Sequence, residues 1–255
     1  MKIEPAQDCQ HAGPGEVLLD VKGLSAWYGA ARILFGLDFH VRRGEVVALM
    51  GRNGAGKSTT FLSLMGLLER REGAVRFMGE DISAKPAFQI AQLGLGFVPE
   101  DRRIFTDLSV DENLDVGRQP PRRWPDGAPV EVWTPEKLYA LFPNLADKAG
   151  RSAGRMSGGE QQMLTIARTL MGNPYLVLLD EPSEGVAPVI VEQMVAMIHK
   201  FKQAGVSVVL SEQNIHFARL VADRVYMLEK GNFVYSGPME ALANDPETSR
   251  KYLSM

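Results

Sequence analysis

Nine consecutive residues constrain this chain more than any others: Gly51, Arg52, Asn53, Gly54, Ala55, Gly56, Lys57, Ser58 and Thr59. They follow a strand-like apolar run, Val46 to Met50, and lead into Thr60 to Gly66, which reads as helix. Glycines at 51, 54 and 56 let the backbone take positive φ and bring its N–H groups close to an anion. Lys57 can reach the β- and γ-phosphates of a nucleotide, and the Ser58 hydroxyl is placed to ligate Mg²⁺. A helix starting near Lys57 points its positive dipole end at the same anion. A strand, a Gly-rich turn and a helix in that order are the context this motif needs. The stretch implies a nucleoside triphosphate site.

Composition narrows the setting. A chain of 255 residues can bury a substantial core as one large domain or two joined ones, and 45% apolar with 23% charged residues is ordinary for a globular protein. Lys plus Arg is 28 against Asp plus Glu 31, a net charge of −3, so no electrostatic case for nucleic acid exists. One cysteine, Cys9, cannot form an internal disulfide, which fits a reducing compartment. No signal-peptide pattern opens the chain, and no apolar run approaches the roughly 20 residues that span a bilayer.

Residues 1–16 lack periodicity and read as a mobile tail. Val17 to Val21, Phe35 to Val41 and Ala74 to Met78 read as strands, the first two bracketing the turn Tyr28 to Ala31. Gly117 to Pro135 holds Pro120, Pro121, Pro125, Pro129 and Pro135, which exclude a continuous helix or central strand and predict a surface excursion. Glu136 to Leu145 resumes helical spacing. After Pro174, strands and helices alternate: 175–179, 189–203, 206–210, 215–222 and 224–228. Near-continuous apolar strands in such units indicate a mainly parallel sheet covered on both faces, an α/β fold. The expected layout is a nucleotide-binding core over 17–85 and 172–237, a helical subdomain over about 86–171, and a C-terminal helical segment over 238–255.

Two further stretches carry chemistry. Tyr175 to Asp180 is an apolar strand ending in Asp180 and Glu181. In an open parallel sheet ligands sit at the carboxyl ends of strands, so Asp180 can hold the Mg²⁺ that Ser58 also contacts, and Glu181 can act as general base on water. Met156 to Gln162 contains Ser157 and Glu160 at capping-box spacing, followed by an apolar helical face. A capped core helix does not explain Gly158 and Gly159 in the first turn, where glycine costs about 0.8–1 kcal/mol against alanine. Bare backbone there suits a second anion surface.

A phosphate loop, then Ser-Gly-Gly-Glu-Gln, then an apolar strand closing on Asp-Glu resembles the nucleotide-binding subunits of ABC transporters, over about residues 17–237. The resemblance implies the P-loop fold of that family, with an antiparallel β subdomain and an inserted helical subdomain. It implies ATP hydrolysis, with ATP held between the phosphate loop of one cassette and Ser157, Gly158, Gly159 and Glu160 of a second, head-to-tail cassette. By the same resemblance Tyr28 stacks on adenine, and Ser183, Glu184 and Gly185 touch the opposing cassette. Membrane permease subunits, a solute-binding protein acting through them, and a cytoplasmic place on the inner face of the plasma membrane are implied with it.

Two positions depart from the family pattern. Glu100, in Phe97-Val-Pro-Glu100, stands where most members carry a glutamine that senses Mg²⁺ and the γ-phosphate. Gln213, in Ser211-Glu-Gln-Asn214, stands at the switch-histidine position; it can donate an N–H but never carry positive charge. His216 is three residues too late and reads as a solvated helix residue. Glu-Gln-Asn, the segment Val98 to Phe105 and Glu181 to Pro188 resemble an ATPase subunit of branched-chain amino-acid importers, with Arg102 to Phe105 facing the membrane subunit. Urea and short-amide importers, or a weakly active regulatory cassette in a heterodimer, are the alternatives. A DNA- or ribosome-acting relative would bring a coiled coil, zinc site or second cassette, and a kinase would leave Ser157 to Gln161 unexplained.

Overall fold

The computed structural model describes residues 15–243. Four strands form an antiparallel sheet: β1 (Val17–Tyr28), β2 (Ala31–Arg42), β4 (Arg70–Phe77) and β5 (Glu80–Asp81), in the order β2-β1-β4-β5. Six strands form the second sheet: β3 (Val46–Met50), β6 (Leu95–Val98), β7 (Leu176–Asp180), β8 (Ser207–Glu212), β9 (Arg224–Glu229) and β10 (Asn232–Pro238). Their order is β10-β9-β3-β8-β7-β6, parallel throughout except for the β9–β10 hairpin.

Every residue of β3, β7 and β8 is buried because both faces of this sheet are covered. The period-two alternation of a strand divides them between two cores. Val46, Ala48, Met50, Val177, Leu179, Val208 and Leu210 enter one, with α6 (Gly158–Leu170) and α7 (Pro188–Gln203). Val47, Leu49, Leu176, Leu178 and Val209 enter the other, with α1 (Lys57–Leu64) and the antiparallel sheet. Met50 pairs with Glu212, and Asp180 pairs with Ser211. The carboxyl ends of β3, β7 and β8 therefore stand side by side, and the site is built there.

Several boundaries move. β1 and β2 run far past the predicted segments, because register shifts at Val21/Leu24 and Leu24/Ser25 break the alternation that marks a strand. β4 starts at Arg70, in charged residues on an exposed stretch. The predicted helix over 136–145 is split into α4 (Pro135–Leu141) and α5 (Pro143–Ala146) by Pro143, with Phe142 between them off helical geometry. Beside α2 (Ala87–Gln92), α3 (Val110–Gly117), α4, α5 and α6, the 86–171 span contains β6, the edge strand of the six-stranded sheet, with the bounds Leu95 to Val98 that the sequence itself suggests. α8 (Ile215–Val221) and α9 (Met239–Ala243) complete the described helices. The tail over 1–14 with Cys9, and the C-terminal segment beyond Ala243, lie outside the described residues.

The proline-rich excursion is better anchored than a surface loop. Trp124 and Val130 are buried in one core and Trp133 in the other. Arg43 lies over the Trp124 ring at 3.8 Å and pairs with Asp126 at 2.9 Å. Asn173, buried and in left-handed backbone (φ 49), grips both ends: its amide donates to the Gln119 carbonyl at 2.9 Å and its Oδ1 accepts from Trp133 N–H at 2.9 Å.

Candidate active site

The phosphate loop leaves β3 at Gly51, where a Cβ would stand 2.3 Å from the Leu228 carbonyl oxygen of β9, so only glycine lets the two backbones pass. Gly56 caps α1 in a left-handed conformation (φ 113). It offers no side-chain hydrogen bond, and the first turn of α1 holds no acid, so the N–H groups there are not spent on the chain's own side chains. Gly231, in the β9–β10 turn, donates to the Ala55 carbonyl at 2.9 Å and accepts from Phe35 N–H at 3.0 Å, tying the loop to β2.

Lys57 is buried at the first turn of α1. Its Nζ donates to the Gly51 and Arg52 carbonyls at 2.8 and 3.2 Å and pairs with Glu181 Oε1 at 2.9 Å. Ser58 Oγ donates to Asp180 Oδ1 at 3.2 Å. Ser211 Oγ donates to the same oxygen at 2.6 Å and accepts from Glu181 N–H at 2.9 Å. Ser211 thus fixes both acids, including the left-handed backbone of Glu181 (φ 43). Gln213 Nε2 donates to Glu181 Oε2 at 3.0 Å and to Asn53 Oδ1 at 2.7 Å. Lys57, Ser58, Asn53, Asp180, Glu181 and Gln213 form one connected network.

The electrostatics follow from four carboxyls around one ammonium. Burial pushes Asp180 up, against the hydrogen bonds from Ser211 and Ser58. Burial also acts on Glu181, but its hydrogen bond with Glu184 and its contacts with Lys57 and Gln213 outweigh this and hold it below the usual carboxylate range. Its neighbour Glu184 is pushed up to about 7 by that hydrogen bond and by the Glu181 charge. Glu100, exposed beyond β6, is raised by partial burial and by repulsion from Glu181 and Asp180, so it faces the same cluster.

Other sequence-marked residues lie further out. Tyr28 is half exposed at the β1–β2 hairpin end. Ser183 is half-buried, and Glu184 and Gly185 are exposed on the loop after β7. His216 is exposed on α8. At the start of α6 the capping box is complete: Ser157 Oγ accepts from Glu160 N–H at 3.4 Å and Glu160 Oε2 accepts from Ser157 N–H at 2.9 Å, while Glu160 also pairs with Lys148. Arg102, in left-handed backbone (φ 65), lays its guanidinium beside Gly158. Sequence reasoning missed Ser211, Glu212 and Gly231. The signal for the first two was a polar pair at the end of an apolar strand, beside the strand carrying Asp180.

Among the described residues, no cluster of three or more His, Cys, Asp or Glu forms a metal cage. Ser58 Oγ and Asp180 Oδ1 are a small, hard-oxygen donor set beside the phosphate loop. Such a set suits Mg²⁺, which keeps water and phosphate oxygens in its shell and takes one or two protein ligands.

The chain belongs to the ABC transporter family: the family model described as ABC transporter matches residues 34–184. It is an ATP-binding subunit of that family, an ATPase whose hydrolysis is coupled to transport. Among curated relatives, the high-affinity branched-chain amino acid transport ATP-binding protein BraG of Pseudomonas aeruginosa is 40% identical, over 92% of this chain and 99% of its own. The lipopolysaccharide export system ATP-binding protein LptB of Haemophilus influenzae is 32% identical, over 92% and 97%. A solved nucleotide-free ATP-binding cassette from an ABC transporter superposes with a TM-score of 0.76 at 26% identity, covering 91% of this chain and 97% of the other. Among the described residues no helix is long and apolar enough to cross a membrane.

Proposed function

We propose that this subunit powers uptake of branched-chain or other hydrophobic amino acids, hydrolysing MgATP at an interface with a second, non-identical cassette. The likeness to BraG along nearly its whole length carries the substrate reading, against weaker identity to the export ATPase. The subunit works in the cytoplasm against permease subunits on the inner face of the membrane, and a solute-binding protein acts through them.

In this reading Gly51 to Thr59 cradle the phosphates, Tyr28 stacks on adenine, and Ser58, Asp180 and Glu100 would hold Mg²⁺. When bound, the ion draws charge from the β- and γ-phosphate oxygens. Lys57 neutralises phosphate charge in place of its pairing with Glu181. Released from Lys57, Glu181 takes a proton from water as the water oxygen bonds to the γ-phosphorus. The bond from γ-phosphorus to the bridging oxygen breaks, and ADP leaves with that electron pair. Gln213 donates to the γ-phosphate and orients Glu181. Ser157, Gly158, Gly159 and Glu160 serve the partner's nucleotide, and Ser183, Glu184 and Gly185 meet the partner.

A general base contributes about 10² to 10⁴ in rate, so Glu181→Gln should keep ATP binding and lose turnover by that order. Uptake tests the transport reading. In cells lacking the subunit, restored leucine uptake with the native chain but not with Glu181→Gln supports it. Unchanged leucine uptake on deletion overturns the amino-acid assignment.

A further inference from the structure

The chemistry above gives no task to Glu212, although it is a carboxylate only 3% exposed inside the site. As the last residue of β8 it carries no cation. Its side-chain partners are backbone N–H groups from two different segments, together with the Ser183 hydroxyl. Oε1 accepts from Ser183 N–H at 3.1 Å, and Oε2 accepts from Gln213 and Asn214 N–H at 3.2 and 3.3 Å. Its own carbonyl accepts from Gly51 N–H at 3.3 Å, at the first residue of the phosphate loop. A buried carboxylate without a cation is costly unless hydrogen bonds satisfy it, so these contacts account for its being tolerated at all.

The division of the two oxygens matters. A carboxylate is rigid and planar, with one oxygen given to the loop after β7 and the other to the residues after β8. A shift of Gln213 toward a bound phosphate moves Oε2, and Oε1 with Ser183 must follow. We propose that Glu212 is a positioning residue for ATP hydrolysis, joining Gln213 to the loop Ser183–Gly185 so that both move as one unit. This deepens the ATPase reading and rests on Gln213 standing beside the γ-phosphate.

Only a group that accepts at both ends can make the link. Glu212→Gln keeps the size, but its NH₂ faces either Ser183 N–H or the Gln213 and Asn214 N–H groups, donor against donor. Hydrogen bonds to charged groups imply a loss of about ten- to a hundredfold in kcat when one end opens. The test is phosphate release and ATP binding by the full chain carrying Glu212→Gln, Gln213→Ala, or both.

Glu212→Gln is expected to lower kcat with the ATP dissociation constant within about twofold, and to have no further effect in the Gln213→Ala background. Unchanged kcat, a matching fall in ATP affinity, or losses that simply add would each overturn the proposal. Should Glu212→Gln not fold, amide hydrogen exchange in the native chain gives the second measurement. Protection at Ser183 and at Gln213 should change together on adding ATP, and a change at Gln213 alone overturns the link. Glu181→Gln separates the two levels. If it turns over normally the ATPase site itself is wrong; if it is dead while Gln213→Ala is normal, only the Glu212 link falls.

Discussion

Two helices in this chain begin on glycine-rich turns, and they solve the problem of their free N–H groups in opposite ways. α1 starts from a left-handed glycine, with no capping side chain and no acid in its first turn, and its only charge there is the buried Lys57. α6 carries its own cap: Ser157 and Glu160 exchange hydrogen bonds, and Lys148 answers Glu160. The start of α1 is held by its surroundings, through Gly51 against β9, Gly231 on Ala55 and Glu181 on Lys57. The start of α6 is held by itself. An uncapped terminus locked into the sheet suits the principal anion site. A self-capped one, with Gly158 and Gly159 bare between the cap residues, suits a surface that must be stable before any partner arrives.

The largest test of this contrast is Lys57→Ala. It leaves Glu181 buried without its cation, a change that typically costs about 3–5 kcal/mol, so nucleotide use should fall at least tenfold with a loss of stability. Phosphate release and calorimetric ATP binding measure this, and normal hydrolysis would break the site assignment.

Next comes the same substitution made at both helix starts. Gly51→Ala drives a Cβ against the Leu228 carbonyl, a backbone atom, and should cost about 1–3 kcal/mol. Gly158→Ala meets only the end of the Arg102 side chain, 2.7 Å away and free to swing, so the melting temperature should hold or rise. Turnover should nevertheless fall, because the bare backbone is lost. Equal thermal effects at the two positions would erase the comparison.

Ser157→Ala removes the cap and should cost about 1 kcal/mol, lowering the melting temperature by about 2–4 °C in scanning calorimetry. The smallest effect is a pH slope. Glu184, raised to about 7, keeps in the folded chain a proton that the unfolded chain releases near its ordinary value of 4.5. The folded state therefore binds more protons across that window, and stability falls as pH rises through it. Urea unfolding of Glu184→Gln between about pH 5 and pH 7 should give a shallower decline. Asp180, Glu100 and Glu212, also raised, keep part of the slope.

Much of this was legible in the sequence where one residue type answers one local need. Glycines beside Lys57 and Ser58, and an apolar strand closing on Asp180, made the site readable because each motif is contiguous. What stayed hidden depends on contacts between distant segments. Ser211 and Glu212 fall past the predicted end of their strand, because polar residues were read as the start of a loop; pairing with Met50 and Asp180 extends β8 over them. Five prolines announced the excursion, but its grip on both cores comes from Trp124, Val130, Trp133 and Asn173, whose partners lie elsewhere. Bulges concealed the length of β1 and β2 in the same way.

Asn173 clasps the excursion at both ends, and Trp124 and Val130 bury its middle, leaving the tip between those two residues to solvent. Pro125, Asp126 and Gly127 are exposed at its tip, and the backbone closes beneath them, Trp124 N–H onto the Ala128 carbonyl. Extra residues inserted there would bulge outward without transmitting strain to the catalytic sheet. That tip is the natural graft point for a fluorophore or affinity tag.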